Sequence, residues 1–252
     1  MKFYLGLLFL PIAFAFDTLV HTSLQNIRKM SLARGIDNSH NHVHSKEVLY
    51  YAKELMKDVP LSDRQKKIVI LGSLYHDMND HKYPPQDLDR LILEMQDVEK
   101  DLDIITRTIF FMENMSFSKT VKYCDGGLQY TAPSDVEKCK DFVCFDIIRN
   151  ADLLASYNLR RAFEYRLHKN PESSVETMVE EVHQLFIKRM GNLRSCNILS
   201  LQYDRCNVLS ERFHKLCASR LKTYTPLPVK ETLDYFEIYP HETIEKICQE
   251  LK

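Results

Sequence analysis

The stretch LYHDMNDHKY places His76, Asp77, Asp80, His81 and Lys82 within seven residues and against apolar neighbours. Imidazole nitrogens and carboxylate oxygens held rigidly are the donors that a catalytic divalent ion takes. Two distant segments carry groups of the same kind beside apolar residues: His44 in HNHVHSKEV and Asp152 in IIRNADLLAS. Adjacent helical residues point about 100° apart, so His76 and Asp77 both reach an ion only if it sits between their directions. Spacing alone does not select His44 and Asp152 as their partners, because no compact zinc-type motif joins them.

The elements that must position these groups read as helices. Val48, Ala52 and Leu55 share one face with His44, which predicts a helix over 43–56 that Pro60 closes. Ser62-Asp63-Arg64-Gln65 has the pattern of a capping box and opens the next helix, which is expected to run through His76-Asp77. Helices are expected over 86–98 and 102–112. A second capping-box pattern at Ser134 and Glu137 opens a long helix from about 135 through 151 and on toward 168. Ser173 to Glu176 starts another, and a further run covers 199–219. Gly126-Gly127 reads as a turn, and no stretch shows strand alternation with good hairpin turns. The fold class is therefore all-α, one domain with C-terminal helices over 191–252 packed on it.

Composition narrows the function classes. The 252 residues carry a formal net charge of -1, with 27% charged and 44% hydrophobic residues, which excludes a nucleic-acid-coating protein and leaves room for a locally positive pocket. Seven cysteines in irregular spacing fit reduced thiols better than a disulfide framework, with Cys144 expected to be buried. The N-terminal MKFYLGLLFLPIAFAF, residues 1–16, reads either as a cleavable secretory signal ending at Ala13-Phe14-Ala15 or as an apolar arm over the core. The first reading implies secretion or an endomembrane lumen and the second the cytoplasm. Pro11 and the short run argue against a membrane span.

The order His, then His-Asp, then a distant Asp resembles the HD-domain superfamily of metal-dependent phosphohydrolases. DNSHNHVHSKEVLYYA at 37–52 is similar to the family's opening with its two histidines, the second of which is His44. GSLYHDMNDHKY resembles the small-nucleotide pyrophosphohydrolase-like subgroup, in which His-Asp is followed by another Asp and a Lys. NMSFSK, NADLLASYNLRRAF and HQLFIKRM are similar to later segments of that subgroup in the same order, so the resemblance spans roughly 30–190. It implies an HD-like helical bundle over 20–190, with His44, His76, Asp77 and Asp152 as metal ligands and with Asp77, Asp80 and Lys82 in catalysis. The implied cofactor is one divalent ion, manganese first, with nickel, cobalt, magnesium and iron as alternatives. The implied substrate is a nucleotide or another small phosphorylated metabolite, attacked at phosphorus by metal-activated water. Asn150 stands where the subgroup pattern has an acidic residue, which bears on charge near the site.

Other residues carry weaker signals. His40, four residues before His44, is expected either to brace it from the same helical face, to cap the helix or to face solvent; His42 and His81 read as surface residues. Of the adjacent Arg160 and Arg161, at most one can point inward. Ser116 and Lys119 could contact substrate, and Phe117 reads as a packing anchor. The competing functions are an idle HD-like scaffold that binds a ligand or partner, and a homo-oligomer with a closed structural metal.

Overall fold

The computed structural model describes residues 10–237 except 84, 86, 125, 126 and 201, and side chains from residue 16 onward apart from 123 and 124. Helix accounts for 71% of the chain and strand for 3%, an all-α architecture. The helices are α1 (Leu10–Arg34), α2 (His42–Leu55), α3 (Asp63–Tyr75), α4 (Leu88–Gln96), α5 (Leu102–Asn114) and the short α6 (Phe117–Thr120). A hairpin follows, β1 (Val121–Cys124) antiparallel to β2 (Gly127–Tyr130), with Val121 opposite Tyr130. Then come α7 (Ser134–Glu137), α8 (Phe142–Ala155), α9 (Leu159–Lys169), α10 (Val175–Leu185) and a π-helical turn, Phe186–Met190. The last elements are α11 (Asn192–Ser195), α12 (Asp204–Thr223) and α13 (Val229–Phe236).

Local chemistry starts the central helices. The Asn41 side chain accepts from Val43 N at 2.8 Å and opens α2. At α3, Ser62 Oγ accepts from Gln65 N at 3.3 Å while Gln65 Oε1 accepts from Ser62 N at 3.1 Å, the reciprocal pair read from the sequence. α2, α3 and α8 pack on one another, with α5 against α3 and α1 across α2 and α3. Gly72 permits the close approach of α3 to α8, because a Cβ there would clash with Ile148 Cδ1. α12 packs on α2 and α8, and α13 packs on α9.

Several sequence expectations are corrected. The helix expected to run from 135 toward 168 is three helices. Asp141 breaks it, because its carboxylate is held by Arg64 Nη1 at 2.9 Å and faces Arg107 Nε at 3.7 Å; Asn158 then caps α9 by accepting from Arg161 N at 3.0 Å. The capping box at Ser134 and Glu137 does not form, since Pro133 is the N-cap and no side chain caps α7. The 121–130 region, read only as a turn, is a hairpin whose strands are too short to show alternation, and Gly127 takes φ +109° there. α3 ends at Tyr75, so His76 is its C-cap and Asp77 lies in the turn beyond.

Residues 1–9 of the apolar N-terminal segment lie outside the described residues, as do 238–252. From Leu10 the chain is helical, and Phe16 and Leu19 pack on the core. Among the described residues, no helix is long and apolar enough to cross a membrane. Cys139, Cys144, Cys196 and Cys206 are free thiols, Cys144 is buried, and the buried Cys217 Sγ donates to Tyr157 O at 3.0 Å.

Candidate metal centre

Three elements bring the four expected ligands together. α2 presents His44, the α3 C-cap presents His76 with Asp77 one residue on, and α8 presents Asp152. His44 Nε2 lies 3.1 Å from His76 Nε2, 3.5 Å from Asp77 Oδ2 and 3.3 Å from Asp152 Oδ1. His76 Nε2 lies 3.2 Å from Asp77 Oδ2 and 3.7 Å from Asp152 Oδ1. Ligand atoms about 2.1 Å from a shared ion stand roughly 3.0–3.4 Å apart in octahedral or tetrahedral geometry, close to this spread.

The donor chemistry fits a cation. His76 Nδ1 donates to Ser73 O at 3.0 Å, which leaves Nε2 as the nitrogen facing the cluster. Asp77 Oδ2 is buried without a hydrogen-bond partner. Burial disfavours charge on His76, yet the carboxylates of Asp77 and Asp152 outweigh it and push the imidazole up to about 9. Burial works against ionised Asp77, but the nearby His76 and His40 hold it well below the usual carboxylate range. Asp152 is lowered against burial in the same way by His44 and His76. The cluster therefore demands positive charge at its centre, which a divalent ion supplies more fully than one protonated ring.

The centre opens on a cavity of about 900 Å³ whose wall includes His76, Asp77 and Asp152. Asp80 and Lys82 line the same cavity, paired to each other: Lys82 Nζ is 3.0 Å from Asp80 Oδ2, and Lys82 N donates to Asp80 Oδ1 at 2.9 Å. His81 also borders it, with its side chain 80% exposed and Nδ1 3.1 Å from Asp80 Oδ1.

Of the arginine pair, Arg161 points inward, and its Nη1 donates to His44 Nε2 at 2.9 Å and to Ser39 O at 3.3 Å. Arg160 turns outward, to Glu164 at 3.1 Å and to Glu237. Ser116, Phe117 and Lys119 line the cavity too, with Phe117 also packed against the core.

His40 is not on the face of α2 that carries His44; it precedes the Asn41 N-cap and forms cavity wall. Its Nδ1 lies 2.6 Å from Ser39 Oγ and 3.0 Å from Tyr83 OH, and its Nε2 lies 3.5 Å from Lys82 Nζ. Burial and the neighbouring charges of Arg161 and Lys82, opposed by Asp77, push its pKa down to about 4.

Residues that the sequence reading passed over support this arrangement. The Arg34 guanidinium, at the end of α1, donates to the carbonyls of Met78 and Tyr83 and so holds the 76–83 loop. Asn158 Nδ2 donates to Glu47, whose Oε2 is 4.0 Å from His44 Nδ1. Arg34 lies outside the quoted motifs and Asn158 inside NADLLASYNLRRAF, but both act through partners distant in sequence. Asn150 faces away from the centre: Nδ2 donates to Asp146 O at 2.6 Å, and Oδ1 accepts from Ser200 N at 2.8 Å. Asn150 thus belongs to the Asp146 and Ser200 contacts rather than to the ligand group.

Comparisons of this chain with protein-family models, with curated proteins and with solved structures find no match.

Proposed function

We propose that the protein is a metal-dependent phosphohydrolase acting on a nucleotide or another small phosphorylated metabolite. The observation that carries this reading is the close group of His44, His76 and Asp77, with Asp152 Oδ1 3.3 and 3.7 Å from the two histidine Nε2 atoms, beside an open cavity that His76, Asp77 and Asp152 line. His44, His76, Asp77 and Asp152 would hold the ion. A closed structural site would keep its ligands away from such a cavity, so its openness favours catalysis over a purely structural metal.

When bound, a divalent ion polarises a phosphoryl oxygen and lowers the pKa of a water molecule it carries. Asp80 would serve as the proton acceptor and Lys82 would offset charge on the phosphoryl oxygens. Arg161 lines the cavity and uses the lone pair of His44 Nε2 that an ion would take, so with an ion held there its charge would be available to a phosphate. Manganese is the favoured ion on the resemblance to the HD superfamily, since a mixed nitrogen and oxygen donor set does not choose among divalent metals.

The test is phosphate and pyrophosphate release from a nucleotide panel, with Mn²⁺ added to metal-stripped protein and to Asp77→Ala. Metal-dependent release lost in the variant supports the reading, and the product separates a nucleotidase from a pyrophosphohydrolase. Absence of release across the panel, with Mn²⁺ bound, would favour a ligand-binding scaffold.

A further inference from the structure

α2 has two faces of different chemistry. His44 is buried at the ligand group, while Val43, Lys46 and Lys53 lie on the exposed side of the same helix. α1 packs across α2 and exposes Arg28, Lys29 and Leu32 near its own end. The two exposed sides meet, since His42 at the start of α2 feels the charges of both Arg28 and Lys46. A lone exposed aliphatic side chain is ordinary on a protein surface. Here there are two, Leu32 at 76% and Val43 at 58% exposed, each one helical turn from a cation on its own helix.

The positive charge of this face stands uncompensated by neighbours. Among the described residues, Arg28, Lys29, Lys46 and Lys53 form no ion pair. α1 has one acid, Asp17, which lies eleven residues before Arg28 and so about 16 Å along the helix. The two acids of α2 are engaged elsewhere, Glu47 by Asn158 and Glu54 by Lys57. The chain as a whole carries a net charge of -1, so the excess of cations is a property of this face and not of the molecule.

We propose that this face of α1 and α2 docks on an anionic lipid bilayer, with its four cations against the headgroups and with Leu32 and Val43 at the boundary with the acyl chains. Charge complementarity selects an anionic partner, because basic side chains are drawn to a negatively charged leaflet. The aliphatic pair then selects a bilayer. A nucleic-acid backbone answers the cations and leaves Leu32 and Val43 against phosphate, whereas a bilayer has an apolar layer directly beneath its charge. Contact of this kind lies on the membrane and needs no spanning segment; among the described residues, no helix is long and apolar enough to be one.

Co-sedimentation of the full chain with vesicles reads the contact directly. Vesicles of two parts phosphatidylcholine to one part phosphatidylserine are expected to bind the protein, and phosphatidylcholine alone to bind it more weakly by at least about tenfold. Raising the salt from about 0.1 M to about 1 M cuts the screening length from about 10 Å to about 3 Å and should release it. Each cation at such a surface contributes roughly a fivefold factor, so Lys46→Gln with Lys53→Gln is expected to weaken binding about 25-fold, and Leu32→Gln about tenfold. Lys46→Arg with Lys53→Arg should bind like the parent, and all of these exposed substitutions should leave Tm unchanged. Equal binding to the neutral vesicles would put the contact in the apolar stretch 1–16 and overturn the proposal. Absence of binding to either vesicle, or parental binding by both glutamine variants, would also overturn it. Tighter binding to a mixed-sequence RNA than to the anionic vesicles, unmoved by Leu32→Gln, would overturn it in favour of a nucleic acid.

Discussion

The Asn158 side-chain amide donates to both oxygens of Glu47, at 3.2 and 3.3 Å, and so joins the start of α9 to the turn of α2 that carries His44. Asn158 also caps α9, and Arg161 in that helix reaches back to His44, so the contacts form a ring from His44 through Glu47, Asn158 and Arg161. Glu47 Oε2 lies 4.0 Å from His44 Nδ1, a buried atom with no hydrogen-bond partner among the described residues. Its charge favours the tautomer with the proton on Nδ1, which frees Nε2 for an ion. Glu47→Gln is expected to weaken Mn²⁺ binding by about 10- to 100-fold, the range for lost outer partners of a ligand. Calorimetric titration reads this, and Glu47→Asp should recover part of the loss. An unchanged affinity in Glu47→Gln would remove Glu47 from the site.

Metal loading should also stabilise the fold, because an ion bound only by the native chain shifts the unfolding equilibrium. At a free Mn²⁺ concentration 100 times the Kd the gain is about 2.7 kcal/mol. Chelator-stripped protein is therefore expected to show a Tm that climbs with added Mn²⁺. Asp77→Ala and Asp152→Ala should flatten that climb, and an undiminished climb in both would place the ion elsewhere.

Asn150 and Asp152 show what the sequence could and could not convey. Two residues apart on a helix they point roughly 200° from each other, so helical geometry alone places them on different faces. The Ser62 and Gln65 box was legible because its partners are three residues apart. The break at Asp141 was not, because it depends on arginines from α3 and α5. His40 was misplaced for the same reason: its contacts with Tyr83 and Lys82 bridge more than forty residues.

Asn150→Asp restores the acid of the resembled pattern and tests whether this position belongs to the site. Asn150 Nδ2 donates to both the backbone and the carboxylate of Asp146, at 2.6 and 3.0 Å, and an aspartate would present oxygen to oxygen in a buried place. The expected cost is about 3 kcal/mol, the scale of an uncompensated buried charge. Urea unfolding should show the loss while Mn²⁺ affinity stays level. A marked change in affinity without loss of stability would tie Asn150 to the centre.

Gly72→Ala tests the contact that brings α3 to α8, and with it His76 and Asp77 just past the end of α3 to Asp152 on α8. The added Cβ meets Ile148 Cδ1 in a fully buried place, and overpacking of this kind costs about 1–3 kcal/mol. Removing that methyl in Gly72→Ala with Ile148→Val should return much of the loss, although Ile148→Val alone costs roughly 0.5–1.5 kcal/mol. Additive losses in the double variant would mean that the two residues do not share the strain.

Alkaline pH should weaken the fold through its buried thiols. Burial, with the nearby Asp141 charge, pushes Cys144 up to about 12, and burial with Asp146 does the same for Cys206. An unfolded thiol releases its proton near pH 9, whereas these two keep theirs until about 12. Their contribution is thus complete below pH 9 and is lost as pH rises from there through 12. Between pH 8.5 and 10.5 the loss is roughly 2 kcal/mol for each thiol, at 1.36 kcal/mol per unit of separation between folded and unfolded protonation. Urea midpoints across that window should fall, and Cys206→Ala should fall less steeply than the parent, whatever its stability at pH 8. A parallel decline in the two proteins would show that Cys206 carries none of the dependence.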